Sequence, residues 1–153
     1  MMEKKLHLIA GLPRSGSTLL ASILNQNPKF HTTITDVLCL AVKDAMYSLT
    51  SQMYHSVITD DTRKSKVIKG MIDNFYYDVS KEVVFNVNRS WIHIFHMINN
   101  ISPNTKLILC VRDICWILNS YEQFYQKHPF NLPAIYGTDI KQIFTVYGRS
   151  QKL

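Results

Sequence analysis

The chain has 153 residues, of which 46% are hydrophobic and 18% charged, which fits one folded domain over 1–153 and excludes a disordered chain. Lys and Arg outnumber Asp and Glu by 17 to 11. This mild excess suits an anionic ligand, and no basic run is dense enough for a nucleic-acid-binding arm. No apolar run approaches the ~20 residues of a membrane span. Three cysteines without a CxxC pair, and no signal-peptide pattern, predict reduced thiols in the cytoplasm.

The first predicted element is a buried strand over 6–10, the apolar run LHLIA. A helix follows from Gly16, because apolar residues recur there at helical spacing. Residues 29–35 predict a loop or a short extended piece. Asp36 is placed to cap a second helix, whose predicted apolar positions are Val37, Leu40, Ala41, Ala45 and Leu49.

A third helix begins at the acidic and capping residues 60–62. Its predicted apolar face comprises Val67, Ile68, Met71, Ile72, Phe75 and Val79. VVFNV at 83–87 predicts the second strand of the sheet. Ser90 begins another helix, whose inward residues are predicted to be Trp91, Ile94, Phe95 and Ile98.

KLILCV at 106–111 is aliphatic on both faces, which favours a central parallel strand over a half-exposed one. A helix is predicted from about 113 to 127, then a loop with Pro129 and Pro133, and a last helix from about Asp139. Alternating strands and helices predict an α/β fold. We expect a P-loop-like three-layer α/β/α arrangement with a short parallel sheet.

The stretch GLPRSGSTLL, between the first strand and the first helix, has the spacing of a phosphate-binding loop. Gly11 and Gly16 match a Walker A motif, in which backbone N–H groups and a helix N-terminus face a phosphate. A nucleotidase would carry Lys where this chain has Ser17. Arg14 and the hydroxyls of Ser17 and Thr18 would then hold the anion, since arginine forms two parallel bonds to an oxyanion. The plainer alternative is a Gly-Pro turn with Ser17 capping the helix.

Two further arginines follow predicted strands. Arg112 ends 106–111, and Ser120 lies eight residues beyond it; Arg89 follows 83–87. Parallel sheets bind ligands at the carboxyl ends of their strands, so these arginines are candidates for anion contacts. A surface arginine and an unrelated helix serine are the plainer alternative.

These stretches resemble the sulfotransferase family, which uses 3′-phosphoadenosine 5′-phosphosulfate (PAPS). GLPRSGSTLLASILNQNP is similar to its 5′-phosphosulfate loop, nearest to the bacterial and tyrosylprotein sulfotransferases, and CVRDICWILNS resembles its 3′-phosphate segment. The resemblance implies that Arg112 and Ser120 bind the 3′-phosphate, that Arg89 lies near the transferring sulfate, and that no metal is needed. It assigns the 5′ end of PAPS to Pro13, Arg14, Ser15, Gly16, Ser17 and Thr18.

The resemblance also implies a general base, which would accept the proton of an acceptor hydroxyl. FHTTITDV offers His31 and Asp36, although a loop residue and a helix cap are the plainer interpretations. The acceptor is expected to be a carbohydrate, a peptide or a small molecule. Family domains are longer and complete the cofactor site with a later Gly- and Lys-containing segment. We therefore expect a truncated product, a fragment or half of a split protein. A homodimer or a complementing chain is the expected partner that would supply the missing part of the site.

Two other functions stay open on the sequence. A P-loop kinase or nucleotidase would use Asp113 as a Walker B carboxylate, and a non-catalytic domain would bind PAPS or its bisphosphate product without turnover. His93 and His96 have a metal-ligand spacing but no third ligand nearby, which favours packing or exposure. Trp91 and Trp116 are candidates for stacking on adenine, although burial on its helix is the preferred expectation for Trp116.

Overall fold

A computed structural model describes residues 4–34, 36–51 and 60–128. The chain divides into two compact units, Met1–Asp113 and Ile114–Leu153. The predicted loop with Pro129 and Pro133 and the helix from Asp139 lie outside the described residues. The first unit contains β1 (Lys5–Gly11), α1 (Ser17–Leu24), β2 (Phe30–Thr33), α2 (Leu38–Ser51), α3 (Asp61–Phe75), β3 (Val83–Val87), α4 (Trp91–Ile101) and β4 (Leu107–Cys110), and the second contains α5 (Ile114–Lys127).

The four strands form one parallel sheet in the order β2-β3-β1-β4. The register pairs Ile9 with Val87, Thr33 with Asn86, and Gly11 with Cys110. All four carboxyl ends therefore reach the same edge of the sheet, where α/β proteins bind their ligands. The predicted α/β class with a short parallel sheet is confirmed.

One prediction about strands was incomplete and another is wrong. The short extended piece predicted as one alternative for 29–35 is present, and it is a strand of the sheet, β2, which pairs with β3. The segment 106–111 was expected at the centre of the sheet, but among the described strands β4 pairs with β1 alone and lies at an edge. Leu109 is 49% exposed and Val111 is 88% exposed. An apolar run predicts that both faces of a strand are covered. It does not predict whether other strands pair with both of its edges.

Apolar side chains pack on both faces of the sheet because successive strand residues point to opposite sides. Ile9 and Phe85 pack with Ala21 of α1 on one face. Leu8 and Val84 pack on the other face with the buried residues of α2, α3 and α4. The first unit therefore has three layers, with α1 on one side of the sheet and α2–α4 on the other.

The face that α2 buries differs from the predicted one. Leu38, Cys39, Val42 and Met46 are buried, whereas Val37 and Leu40 are 64% and 49% exposed. The sequence is continuously apolar over 37–42, so periodicity alone left the inward face undetermined. Packing against α3 and the sheet selects it.

The predicted start signals of α2 and α3 are confirmed by hydrogen bonds, whereas the Ser90 side chain makes no capping bond to α4. Asp36 Oδ1 accepts from the Leu38 N–H at 3.0 Å, and Asp60 Oδ1 accepts from the Arg63 N–H at 2.7 Å. Such bonds satisfy amides that have no partner within the helix. Among the described residues, no helix combines the length and the hydropathy required to cross a lipid bilayer.

Candidate functional site

The predicted phosphate loop joins the carboxyl end of β1 to the first turn of α1. The Ser15 N–H donates to the Leu12 carbonyl at 3.0 Å, and Arg14 has a φ of 67°. Proline in the second position and a positive φ in the third are the pattern of a type II turn, whose third residue is usually glycine. Gly16 follows with a φ of 104° and is the N-cap of α1. Gly16 has no side chain to cap the helix, and the first amides of a helix have no partner within it, so those of α1 can donate to another acceptor.

The Ser15 hydroxyl lies inside this loop and against the neighbouring strand. Its Oγ is buried and has no hydrogen-bond partner among the described residues. A Cβ on Gly11 would stand 2.6 Å from Ser15 Oγ and 2.6 Å from the Cys110 carbonyl oxygen. Only glycine allows this approach. A buried hydroxyl without a partner costs free energy, which fits a site completed by a ligand's polar group.

Arg112 links the end of β4 to the same loop. Its Nη1 donates to the Arg14 carbonyl oxygen at 3.1 Å, between residues 98 apart in sequence. The predicted convergence of Arg14 and Arg112 at one sheet edge is therefore present in the first unit. Both side chains are exposed, as anion-binding groups need to be.

Arg89 lies on the turn between β3 and α4. The Asn88 N–H donates to the Ile9 carbonyl at 3.0 Å, which holds this turn beside β1. Asn88 Oδ1 accepts from the Ser90 N–H at 2.9 Å, so Asn88 supports the helix start that the sequence assigned to Ser90. The exposed Arg89 thus follows β3 as Arg14 follows β1 and Arg112 follows β4, on three adjacent strands.

Asp36 belongs to a buried polar network on the face opposite α1. Beyond its bond to α2, its Oδ2 accepts from Asn86 Nδ2 at 2.5 Å and from the Tyr76 hydroxyl at 3.2 Å. Asn86 Nδ2 also lies 2.6 Å from the Tyr76 hydroxyl, and Trp91 Nε1 donates to Asn86 Oδ1 at 2.6 Å. Burial raises the pKa of Tyr76, so its phenol remains a donor at neutral pH. The geometry favours the helix-cap interpretation of Asp36.

His31 lies within β2, paired in register with Val84, and is half-buried. Its ring meets the ring of Tyr76 edge-on, with centroids 6.0 Å apart. His31 is therefore a strand residue and not the loop residue that the sequence offered as its plainer interpretation. Both candidates for the base thus approach Tyr76 from β2 and its following loop.

The predicted inward position of Trp91 is confirmed, whereas the preferred expectation of burial for Trp116 is wrong. Trp91 is wholly buried and donates to Asn86, so its ring is not available to stack on adenine. Trp116, expected to be buried, is 61% exposed on α5. Ser120 lies on the same helix in the second unit and is half-buried.

A comparison with protein-family models identifies the chain. The model described as "Sulfotransferase family" matches residues 8–151, from the middle of β1 to two residues before the last. This match covers the phosphate loop and the segments that carry Arg89 and Arg112. The chain belongs to the sulfotransferase family. No curated protein matches it, so no relative adds a named substrate.

In this sulfotransferase-family chain, a cavity of about 380 Å³ lies away from the phosphate loop. It is formed by the end of α2, the start of α3 and the end of α4, and no residue of 11–18 lines it. Lys64 and Asp61 form an ion pair of 2.9 Å at its wall. His93 and His96 are exposed on α4, and the described residues contain no group of three or more His, Cys, Asp or Glu able to hold a metal ion.

Two features around the candidate site were not predicted from the sequence. The first is the close approach of Gly11, Ser15 and Cys110; Gly11 was assigned to the motif, but nothing in the sequence indicated that β4 packs against it. The second is the network of Asn86, Tyr76, Trp91 and Asp36. A polar residue inside the apolar run VVFNV was the available signal for it, because a buried amide requires partners.

Proposed function

We propose that this chain transfers a sulfuryl group from PAPS to an acceptor hydroxyl. The family supports sulfuryl transfer. The observation that carries the choice of donor is the phosphate loop: uncapped amides at the start of α1, a buried Ser15 hydroxyl without a described partner, and an arginine that follows β4 at its rim. These are anion-binding groups of three kinds, at adjacent places on one sheet edge.

The 5′-phosphosulfate is assigned to the loop. The amides of 16–18 supply donors and the positive end of the α1 dipole. The Ser15 hydroxyl would gain the partner that it lacks in the described structure, and Thr18 would add a second hydroxyl. Arg14 would contribute the guanidinium that takes over the task of the Walker A lysine, whose own position is occupied by Ser17, and Ser17 would contact the bridging oxygen. Pro13 sets the turn from which Arg14 projects.

Arg112 is proposed to bind the 3′-phosphate, because its exposed guanidinium lies at the rim of the loop, where Nη1 reaches the Arg14 carbonyl. The sequence motif, not the geometry, adds Ser120 to this role. Arg89, on the exposed turn next to β1, is proposed to offset charge on the transferring group. Recognition of a 3′-phosphate would distinguish PAPS from ordinary adenine nucleotides.

PAPS supplies an activated sulfuryl group, whose in-line transfer resembles phosphoryl transfer in relying on position and charge. The chain's own groups would hold the donor still and compensate its charge. Removal of the acceptor proton is proposed for His31 or Asp36. His31 is the better placed of the two, since Asp36 already accepts three hydrogen bonds.

The test is formation of adenosine 3′,5′-bisphosphate from PAPS by the purified chain in EDTA, with carbohydrate, tyrosyl-peptide and small-alcohol acceptors. We expect acceptor-dependent product, lowered about 10²-fold in Arg14→Ala, as for the loss of a charge-stabilising group. Product from none of the acceptors, with tight binding of the bisphosphate, would indicate a non-catalytic binding domain. Magnesium-dependent hydrolysis of ATP would instead support a kinase or nucleotidase.

A further inference from the structure

The peptide unit between Arg14 and Ser15 is held from both sides. Its N–H, on Ser15, donates to the Leu12 carbonyl at 3.0 Å. Its carbonyl, on Arg14, accepts from Arg112 Nη1 at 3.1 Å. These two bonds act on one plane, since the atoms of a peptide bond are coplanar. The first bond is local to the turn, whereas the second comes from the far end of β4.

This peptide follows a residue in an unfavourable backbone conformation. Arg14 has a φ of 67°, in the left-handed region that is unfavourable for a residue other than glycine. Such a conformation persists only when its surroundings impose it. Within the described structure, Arg112 supplies a bond to the Arg14 carbonyl, and the register of Gly11 with Cys110 fixes the base of the loop on the same strand.

We infer that Arg112 is a positioning residue for the phosphate loop, in addition to its proposed contact with a 3′-phosphate. Its bond to the Arg14 carbonyl keeps the loop in the binding shape before a ligand arrives. A loop that is already ordered loses less conformational entropy on binding. Arg112 would thus raise affinity even for a nucleotide that has no 3′-phosphate, which a residue serving the 3′-phosphate alone would not do.

A single residue can serve both purposes because of its shape. The guanidinium carries five N–H donors in a rigid plane. One N–H donates to the Arg14 carbonyl, and a planar group of this kind also suits an oxyanion. Lysine would place one compact ammonium group and could hold the carbonyl only with poorer geometry. The expected effect of Arg112 on nucleotide affinity rests on the proposed function. Its expected ordering of the loop in the absence of ligand does not.

The first experiment measures hydrogen exchange of the Ser15 amide, which donates to the Leu12 carbonyl, in the protein without ligand. Arg112→Met keeps most of the aliphatic part of the side chain and removes its donors. We expect this amide to exchange about fivefold faster, the equivalent of one hydrogen bond of ~1 kcal/mol, with Arg112→Lys in between. Arg63→Met, at an exposed arginine on α3, is the matched control and should leave loop exchange unchanged. Equal exchange in wild type and Arg112→Met would overturn the inference.

The second experiment compares adenosine 5′-monophosphate with adenosine 3′,5′-bisphosphate. We expect Arg112→Met to weaken the monophosphate about fivefold and the bisphosphate by considerably more, with Arg112→Lys restoring part of the monophosphate affinity. Unchanged monophosphate affinity alongside weaker bisphosphate binding would leave the proposed function standing and remove the positioning role. If wild type binds neither nucleotide, the proposed function fails, and loop exchange alone decides the positioning role.

Discussion

Trp91 Nε1 donates a hydrogen bond to Asn86 Oδ1 at 2.6 Å, and both side chains are wholly buried. The pair joins the first residue of α4 to Asn86, the residue before the end of β3 at Val87. The same amide donates to Asp36 at the start of α2. Asn86 therefore connects the segment after β2 to the segment after β3. These bonds restrict the movement of the segments next to Arg89 and His31.

Asn86→Ala should be strongly destabilising. It leaves the Trp91 N–H and the Asp36 carboxylate short of partners and opens a cavity, and each such change costs a few kcal/mol. We expect a fall in the free energy of unfolding of about 2–4 kcal/mol, measured by urea denaturation. Asn99→Ala, at an exposed position on α4, is the control and should stay within about 0.5 kcal/mol of wild type. Equal effects would contradict the network.

Three glycines should respond differently to alanine. In Gly11→Ala the new Cβ meets the Cys110 carbonyl at 2.6 Å, so we expect a loss of about 1–3 kcal/mol from overpacking. Gly16→Ala has open space around the Cβ but a φ of 104°, which costs roughly 1–2 kcal/mol through strain. Gly70→Ala, inside α3 with nothing within 4 Å, should stabilise by about 0.5–1 kcal/mol. Thermal unfolding would rank them, and a stabilised Gly11 variant would contradict the close approach of β4.

Alkaline pH should destabilise the fold through Cys39. Burial, followed by the charge of Asp36, raises the pKa of this thiol from 9.0 to about 12. The unfolded chain releases the proton first, so stability is complete below pH 9 and is lost as pH rises from 9 towards 12. Cys39→Ala should flatten this decline in urea unfolding between pH 8 and 11. Val42→Ala removes buried contacts on the same helix without a titrating group, so it should lower stability at every pH and keep the slope.

Acidic pH should lower the stability of the fold through protonation of His7. Burial, and then the positive charges of Lys106 and Lys5, lower the pKa of His7 below its usual 6.5. Its Nδ1 also accepts from the Lys106 N–H at 3.2 Å, which only the neutral ring can do. Stability is therefore complete above pH 6.5 and falls as pH drops through the lowered pKa. His7→Asn keeps an acceptor and does not titrate, so it should remove part of the decline between pH 7 and 5; parallel curves would contradict this role.

The local geometry of the loop could be predicted from the sequence better than the packing of the core. The turn from Gly11 through Arg14 to Gly16 was predictable because strand, turn and helix start follow one another in the chain, whereas the binding roles of these residues stay predictions. The order of strands was not local. The positions of β2 and β4 in the sheet depend on which strands pair with them. The apolar composition of a strand does not determine its pairing partners. The consecutive apolar residues of 37–42 similarly gave no single helix face until α3 and the sheet packed against them.

Long-range contacts account for the remaining misses. The bond from Arg112 to the Arg14 carbonyl spans 98 residues, and that from Asn86 to Asp36 spans 50. The sequence indicated that Arg112 belongs to an anion site but not that it touches the loop itself. It offered Asp36 as cap or base, and the buried partners that favour the cap became visible only with the fold.

Calorimetric titration of the chain with adenosine 3′,5′-bisphosphate and with ADP, both in EDTA, tests the central claim most directly. Both ligands consist of adenosine and two phosphates. The second phosphate is attached to the 3′ oxygen in the bisphosphate and to the 5′-phosphate in ADP. If the loop and Arg112 receive the two ends of PAPS, the bisphosphate should bind at least about tenfold tighter, a difference of ~1.4 kcal/mol. Equal affinities, or tighter binding of ADP, would contradict the account.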